Sequence, residues 1–223
     1  MDTDALWQLV WTQLKIDDPA TRTAFETAAD IRRLTAGNSL IAQDEAEDHV
    51  FILLQGEAQV ILLSEAGREV WLDTLPQGNI IGEIAALTGA PRTSEIIAGT
   101  SLLAAAFPGP LFLDLVAQHG QMGVALARQL AVRVQHTTKR MFELSAMAAP
   151  GRVYAELIRL SEPGDEPETV VIRPTPSLTD IARRISTTRE TVSRTISKLE
   201  KRGLLKRHKD GFELLDPDRL RGS

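Results

Sequence analysis

Two charged residues stand out because their neighbours favour burial. In the stretch GEIAALTGAPRTS, residues 82–94, Glu83 precedes Arg92 by nine positions, and the residues between them are mostly small or apolar. Burying a charge without a partner is costly. The two residues therefore either pair with each other as a structural salt bridge or hold a ligand with complementary groups. Arginine supplies a charge and a planar donor fork suited to phosphate oxygens, which makes an anion the candidate ligand.

A second chemical signal lies near the C-terminal end of the chain. The segment SLTDIARRI begins with a serine cap, Ser177, and has the spacing of a short amphipathic helix. The next three residues, STT, predict a tight turn, and RETVSRTISKLEKRGLL predicts a second helix. This pattern is typical of a helix-turn-helix motif. Its alternative is an ordinary pair of antiparallel helices whose outer residues are merely charged.

The second helix of this motif has one apolar and one polar face. Its predicted inward residues are Val192, Ile196 and Leu199. The residues left on the outer face are Arg189, Glu190, Ser193, Arg194 and Ser197. They lie near the helix start, where recognition helices read base edges in the major groove. Arginine suits guanine, and a glutamate can accept from the cytosine amino group.

The charge of the chain is unevenly distributed. The net charge is −5, but residues 174–223 carry 12 Lys and Arg against 7 Asp and Glu, a balance of +5. Residues 201–215 combine a glycine stop, a basic run and an Asp-Gly turn, which predicts a β-hairpin wing. We therefore expect this terminal module to approach DNA. The alternative is a basic face that is only solvated.

The elements that must position these residues follow from periodicity. Residues 4–30 have helical spacing, interrupted at Asp17-Asp18-Pro19. Between residues 31 and 107, short apolar runs are separated every eight to twelve residues by Gly, Pro, Asp or Asn. Such spacing predicts antiparallel strands in a sandwich or barrel. With the helical regions that follow, the fold class is α+β.

Residues 111–147 predict a long central helix, with Gly120 to Gly123 as its weak point. Six of its residues follow the alternating three- and four-residue spacing of a two-stranded coiled coil. They are Ala127, Leu130, Val134, Thr137, Met141 and Leu144. The helix therefore predicts a homodimer. The alternative is that it lies on its own β domain, although about 35 residues would span roughly 50 Å and overhang a small barrel.

These patterns divide the chain into three parts. Residues 1–110 form a β domain with an N-terminal helical region, residues 111–147 form the central dimerisation helix, and residues 148–223 form the terminal module. The terminal module opens on a hinge at residues 148–151, followed by a helix, an acidic loop at 163–168 and a strand at 169–173.

Other chemistries have little support. The chain has no cysteine, which excludes disulfides, thiolate metal sites and a cysteine nucleophile. The four histidines lack metal-site spacing, so no metal is expected. No Ser/His/Asp order points to an enzyme. The start lacks a signal-peptide pattern and no stretch is long and apolar enough for a membrane span, so we expect a cytoplasmic protein without a membrane partner.

The order of β domain, long helix, hinge and winged helix-turn-helix resembles the bacterial cyclic-AMP receptor protein and fumarate–nitrate regulator (Crp/Fnr) family. The resemblance covers about residues 25–215. It is carried by RETVSR, similar to the family's recognition-helix motif, and by QGNIIGEIAALTGAPRTSEIIA, similar to the phosphate-binding cassette of cyclic-nucleotide domains. The fold that it implies is an N-terminal β-roll, a central dimerisation helix and a C-terminal winged helix-turn-helix. One departure is Ser186, where the family often has glycine in the turn.

The resemblance implies a role for each residue of the cassette. In the family, the arginine pairs with the cyclic phosphate and the glutamate accepts a hydrogen bond from the ribose 2′-hydroxyl. Arg92 and Glu83 would thus hold opposite ends of one ligand. Thr93 would add a hydroxyl, and the backbone N–H groups from Gly82 to Ile84 would complete the cradle.

The resemblance also implies that the central helix reads the base. Counted back from Gly151-Arg152, Thr137 and Thr138 match the two hydroxyl positions that contact adenine in cyclic-AMP receptor proteins. Thr137 would act in its own subunit, and Thr138 would reach the ligand of the partner subunit. This favours cyclic AMP as the effector. Exclusion of cyclic GMP does not follow, since a hydroxyl can donate or accept.

For DNA, the resemblance implies specific contacts. Arg189, Glu190 and Arg194 match the family's three base-reading positions, and Ser177 and Thr191 match positions that usually meet phosphates. A dimer carrying these readers implies a palindromic operator on double-stranded DNA, with a half-site close to TGTGA facing TCACA. RNA polymerase is a candidate protein partner of such a regulator.

The function that we predict is a homodimeric transcription regulator in which cyclic AMP promotes DNA binding. One alternative keeps this architecture but responds to another effector, such as cyclic di-GMP, or to none. A second is a nucleotide-binding module that acts on a protein partner, against which RETVSR argues. A third is an enzyme that turns the nucleotide over.

Overall fold

The computed structural model of the chain contains two compact units. They are Met1–Gln135 and His136–Ser223. The structure describes residues 2–44, 48–63, 69–164 and 169–217. One helix, Gly120–Ala146, runs across the boundary between the two units.

The first unit is built around eight strands among the described residues, arranged in two four-stranded antiparallel sheets. The strands are β1 (Asp30–Leu34), β2 (Ser39–Ile41), β3 (Val50–Gln55), β4 (Glu57–Leu63), β5 (Glu69–Pro76), β6 (Ile80–Ile81), β7 (Glu95–Ala98) and β8 (Leu102–Phe107). One sheet has the order β1-β8-β3-β6 and the other the order β2-β7-β4-β5. The predicted antiparallel β domain is therefore confirmed.

Two N-terminal helices, α1 (Thr3–Leu14) and α2 (Pro19–Ala28), replace the single helical region of the sequence pattern. The predicted interruption is where α2 begins. Asp18 caps α2 by accepting from the backbone N–H groups of Ala20 and Thr21, and the Thr21 hydroxyl bound to it lowers the pKa of this carboxyl. Helices α1 and α2 contribute Trp11 and Phe25, both fully buried, to the main apolar core of the unit.

The predicted central helix is broken near its start. The structure has α4 (Gly109–Gln118) and α5 (Gly120–Ala146) instead of one helix from residue 111. His119, with φ −121° and ψ 84°, leaves the helical region, and its N–H closes α4 on the carbonyl of Leu115. Its ring nitrogen lies 3.2 Å from the Thr21 hydroxyl of α2, which fixes the corner. The break falls at the edge of the predicted weak point.

Helix α5 leaves part of its apolar surface uncovered within one chain. Val134 and Met141 are each 64% exposed, and Leu144 is 50% exposed. All three belong to the predicted coiled-coil spacing. By contrast, Met122 and Ala125 near the helix start are buried in the core of the first unit. The exposed stretch is therefore the C-terminal part of the helix.

The second unit continues from the end of α5. Its elements are α6 (Ala149–Arg159), β9 (Glu162–Pro163), β10 (Val170–Ile172), α7 (Leu178–Arg184), α8 (Arg189–Lys201), β11 (Leu205–Arg207) and β12 (Phe212–Leu214). The four strands form one antiparallel sheet in the order β11-β12-β10-β9. Residues 165–168 of the predicted acidic loop, and residues 218–223, lie outside the described residues. No described helix is long and apolar enough to cross a membrane.

A buried ionic cluster joins three helices of the second unit. Arg159 of α6 contacts Glu143 of α5 at 2.8 Å and also pairs with Glu156 of its own helix. Arg184 of α7 lies 3.7 Å from Glu156, which is fully buried. Burial disfavours the charge of Arg159, but the carboxylates of Glu156 and Glu143 outweigh it and raise the pKa of Arg159. The cluster holds α5, α6 and α7 in one arrangement.

We expect Arg159→Met to destabilise the second unit by about 3 kcal/mol, because it leaves Glu143 and Glu156 buried without their main partner. Denaturant unfolding of the full chain, followed by circular dichroism, measures this change. The matched control is Arg173→Met, which removes an ion pair with Asp210 at 3.5 Å whose side chains are more than half exposed. Arg173→Met should lower the free energy of unfolding by less than about 1 kcal/mol. Equal losses for the two variants would contradict a stabilising role for the cluster.

Candidate functional site

The helix of the cassette is preceded by a glycine that no other residue replaces easily. Strand β6 ends at Ile81, and Gly82 with φ 85° and ψ 0° precedes helix α3 (Glu83–Thr88). A side chain at residue 82 would be strained by this left-handed backbone. Its Cβ would also lie 2.6 Å from the His49 carbonyl oxygen and 2.7 Å from Arg92 Nη1. The glycine therefore lets three segments of chain meet closely at one point.

Arg92 lies at this meeting point and is only 4% exposed. Its Nη1 donates to the Gly82 carbonyl at 3.0 Å, and its Nη2 donates to the His49 carbonyl at 2.6 Å. Two backbone carbonyls from separate segments thus orient the guanidinium. An arginine fixed in this way presents its donors in a defined direction.

Glu83 is 1% exposed and forms an ion pair with Arg133 of α5. Burial raises the pKa of the Glu83 carboxyl above its usual range, and the charges of Arg133 and Arg92 oppose that shift. The charge of Arg133 opposes the shift more strongly than that of Arg92, so Arg133 is the main cation acting on Glu83. The ion-pair partner of Glu83 on α5 was not foreseen in the sequence analysis.

Arg133 is the functional candidate that sequence reasoning missed. Besides Glu83, its guanidinium contacts the Ile80 carbonyl oxygen, with Nη2 at 3.2 Å. One signal was present in the sequence, because Arg133 lies one helical turn before the predicted site residue Thr137. The structure thus gathers Gly82, Glu83, Arg92 and Arg133 at one place in the first unit.

The other predicted ligand residues are more exposed than Glu83 and Arg92. Ile84 is 40% exposed on α3, and the Thr93 side chain is exposed immediately after Arg92. Thr137 and Thr138 are exposed on α5, in the second unit. The roles of these four residues toward a ligand stay predictions. Among the described residues, no group of three or more His, Cys, Asp or Glu side chains could hold a metal ion.

The predicted helix-turn-helix is formed by α7 and α8. Ser177 caps α7 by accepting from the backbone N–H groups of Thr179 and Asp180 at 3.2 and 3.4 Å. Thr188 caps α8 by accepting from Thr191 N–H at 3.2 Å. The Ser177 hydroxyl acts here as an acceptor, so its own hydrogen is available to a phosphate oxygen.

The turn of the helix-turn-helix contains the departure at Ser186. This residue has φ 50°, in the left-handed region where glycine is favoured. Arg152 of α6 holds the turn by donating to the carbonyl oxygens of Ile185 at 3.1 Å and Ser186 at 3.4 Å. The turn geometry therefore forms with serine in place of the family's usual glycine.

Helix α8 presents the predicted reading face to solvent. Val192, Ile196 and Leu199 are fully buried in the core of the second unit, which confirms their inward orientation. The three predicted base readers, Arg189, Glu190 and Arg194, are exposed. Thr191 is partly exposed, and its hydroxyl lies 3.0 Å from that of Thr188. Their contacts with DNA stay predictions.

The predicted wing is the hairpin of β11 and β12. Its residue Arg207 lies over the Phe212 ring, with 5.3 Å between the guanidinium carbon and the ring centroid. A hydrogen bond to Glu200 of α8 raises the pKa of Arg207 and joins the wing to the recognition helix. Lys206 and Lys209 are exposed on the same hairpin. The wing therefore adds positive charge beside α8.

Comparison with known proteins agrees with both parts of the structure. The family described as the cyclic nucleotide-binding domain matches residues 31–119, and the Crp-like helix-turn-helix domain matches residues 151–222. The chain is 26% identical over 186 residues to a CRP-like cAMP-activated global transcriptional regulator of Mycobacterium tuberculosis, covering 82% of this chain and 83% of the relative. It is 27% identical over 188 residues to the cAMP-activated global transcriptional regulator CRP of Salmonella typhimurium, covering 82% and 89%.

A solved structure shares the fold at lower identity. The c-di-GMP responsive global regulator CLP of Xanthomonas campestris superposes with a TM-score of 0.76 at 20% identity, covering 89% of this chain and 99% of that one. Together, the two matched domains and the long helix between them identify the architecture. The chain therefore belongs to the Crp/Fnr family, whose members are DNA-binding transcription regulators and not enzymes.

Proposed function

We propose that this protein is a cytoplasmic transcription regulator that binds cyclic AMP and acts as a homodimer on a palindromic operator. The observation that carries the proposal is the pair of buried residues Glu83 and Arg92 in the cyclic nucleotide-binding domain, with Arg133 of α5 as the ion-pair partner of Glu83. The chain also has an exposed recognition helix in a separate unit. RNA polymerase is the protein partner that we propose for an activator of this kind.

The chemistry of the buried group suits a cyclic nucleotide. Arg92 meets the cyclic phosphate, because a guanidinium has five N–H donors and can hold both backbone carbonyls and phosphate oxygens. Glu83 accepts from the ribose 2′-hydroxyl, while Arg133 compensates its charge. Thr93 and the backbone N–H groups from Gly82 to Ile84 lie next in sequence to these two anchors. One ligand with an anion at one end and a hydroxyl at the other matches this arrangement.

Cyclic AMP is the effector that we favour, for two reasons. The two curated relatives described above are named as cAMP-activated. In addition, Thr137 and Thr138 supply hydroxyls for adenine, Thr137 in its own subunit and Thr138 in the partner subunit. Cyclic di-GMP is the second candidate, because the regulator CLP, which shares the fold, is described as responsive to c-di-GMP. Calorimetry with cyclic AMP, cyclic GMP and cyclic di-GMP on nucleotide-stripped protein separates these effectors.

Arg92→Ala should weaken cyclic-AMP binding by an amount on the order of 2 to 4 kcal/mol, roughly 30- to 1,000-fold, because a charge-assisted pair with phosphate is lost. Arg92→Lys keeps the charge without the fork and should fall between wild type and Arg92→Ala. The control is Arg128→Ala, an exposed arginine on α5. Melting curves of all variants verify that the first unit is folded. Unchanged affinity in folded Arg92→Ala would remove this residue from the site.

The exposed apolar side chains of α5 support the homodimer. Val134→Glu should weaken dimerisation roughly 100-fold, because each of two symmetric copies loses about 1.5 kcal/mol of apolar burial. Sedimentation equilibrium measures the dissociation constant. The matched control is Val132→Glu, which is 48% exposed on the same helix but outside the predicted coiled-coil spacing. A Val134→Glu protein that dimerises like wild type would place the dimer contact elsewhere.

Two-fold symmetry of the proposed dimer requires an inverted repeat, with half-site centres about one helical turn, roughly 34 to 36 Å, apart. Arg189 and Arg194 each face a guanine and Glu190 faces a cytosine amino group, which corresponds to TGTGA facing TCACA. Arg189→Ala should weaken the free energy of operator binding by about 1 to 3 kcal/mol and relax the base preference at one base pair only. Lys206→Ala on the wing should weaken binding to all DNA sequences by the same factor. Selection from random duplexes tests both variants, and a non-palindromic winner would contradict the proposed reading.

A further inference from the structure

One side chain of α5 holds the backbone at the start of the cassette without touching the buried charges. Gln129 donates from Nε2 to the Gly78 carbonyl oxygen at 2.7 Å, and its Oε1 accepts from Ile80 N–H at 2.9 Å. One turn later, Arg133 contacts the Ile80 carbonyl oxygen and pairs with Glu83. Two side chains of one helix therefore meet the segment from Gly78 to Glu83 at four points.

The position of β6 in its sheet explains why this segment needs such contacts. Strand β6 has only two residues and lies at the edge of its sheet, beside β3. On the β3 side, Leu53 N–H donates to the Asn79 carbonyl at 2.9 Å and Gly78 N–H donates to the Leu53 carbonyl at 2.8 Å. The N–H and C=O of Ile80 are instead bound by α5. Buried backbone groups require hydrogen-bond partners. The side chains of Gln129 and Arg133 therefore supply the hydrogen bonds that a neighbouring strand would otherwise make with Ile80.

A ligand bound to Glu83 would affect the contacts of Arg133 but not those of Gln129. Arg133 is charged and divides its donors between Ile80 and Glu83, so a hydroxyl that binds Glu83 competes with it. Gln129 is neutral, and both of its directional hydrogen bonds go to backbone atoms at the start of the cassette, before Glu83. A ligand on Glu83 therefore leaves the Gln129 contacts in place.

We propose that Gln129 is a positioning residue for the nucleotide site, which fixes α5 against the start of the cassette so that Arg133 reaches Glu83. This proposal deepens the proposed function and rests on it for its effect on the ligand. It also has a consequence without ligand, because Ile80 N–H is protected from solvent exchange by Gln129. The role is distinct from ligand contact, since it acts through Arg133 and Glu83.

The chain offers a closely matched control on the same helix. Gln121 of α5 also binds a loop with both ends of its amide. Its Oε1 accepts from Asp17 and Asp18 N–H at 3.0 and 3.1 Å, and its Nε2 donates to the Asp17 carboxylate at 2.6 Å. That loop lies between α1 and α2 and is not part of the cassette. Gln121→Met and Gln129→Met thus each remove the amide hydrogen bonds that join α5 to another segment, at two different places.

The experiment compares the two variants and wild type, as full chains, by amide hydrogen exchange and by cyclic-AMP calorimetry. Gln129→Met should speed exchange at Ile80 and weaken cyclic-AMP binding roughly tenfold, the effect of about one neutral hydrogen bond. Gln121→Met should leave both quantities unchanged. In an Arg133→Met background, the effect of Gln129→Met on affinity should largely disappear, because the two residues act on Glu83 as a unit. A residue that only stabilised the fold would give additive losses.

The outcomes separate the two proposals. Unchanged exchange at Ile80 in Gln129→Met overturns the positioning role, whether or not a nucleotide binds. Normal affinity in Gln129→Met, with wild type binding cyclic AMP, also overturns it. If wild type binds none of cyclic AMP, cyclic GMP and cyclic di-GMP while exchange at Ile80 still rises in the variant, the proposed function fails and the structural role of Gln129 holds.

Discussion

The ion pair between Glu83 and Arg133 is the interaction on which the rest of the arrangement depends. A carboxylate that is 1% exposed needs a compensating charge, and here that charge comes from the helix that runs on into the second unit. The chain leaves the first unit two residues after Arg133. A ligand can shift a conformational equilibrium only through a difference in its affinity for two states. In the proposed function, competition between the ligand and Arg133 for Glu83 would supply such a difference at the point where α5 is held.

Two charge clusters among the described residues, each around a buried glutamate, have different chemistry. In the second unit, Arg159 is shared between Glu143 and Glu156, and the charges of the cluster are paired among side chains of α5, α6 and α7. In the first unit, one buried carboxylate is accompanied by two guanidiniums, and Arg92 is oriented by backbone carbonyls. The cluster of the second unit suits a fixed structural contact. The group of the first unit suits a ligand that brings an anion and a hydroxyl.

Local patterns in the sequence predicted the elements, but not the contacts between distant elements. The inward face of α8 follows from the spacing of Val192, Ile196 and Leu199, and burial of Glu83 and Arg92 follows from their apolar surroundings. The break at His119 was harder to predict, because a non-helical angle at one residue does not interrupt an apolar pattern. The roles of Gln129 and Arg133 depend on partners about fifty positions away. For Arg133 the sequence offered only its position one turn before Thr137, and for Gln129 nothing distinguished it from a solvated polar residue.

The turn of the helix-turn-helix shows how the second unit links its reading face to the end of α5. Ser186 adopts a left-handed backbone, which costs a residue other than glycine about 1 kcal/mol. Arg152 offsets this cost with its bonds to the Ile185 and Ser186 carbonyls, and the same guanidinium also donates to the Met147 carbonyl at 2.8 Å. Met147 is the residue that follows α5. A change in direction at the end of α5 would therefore act, through one side chain, on the turn from which α8 starts.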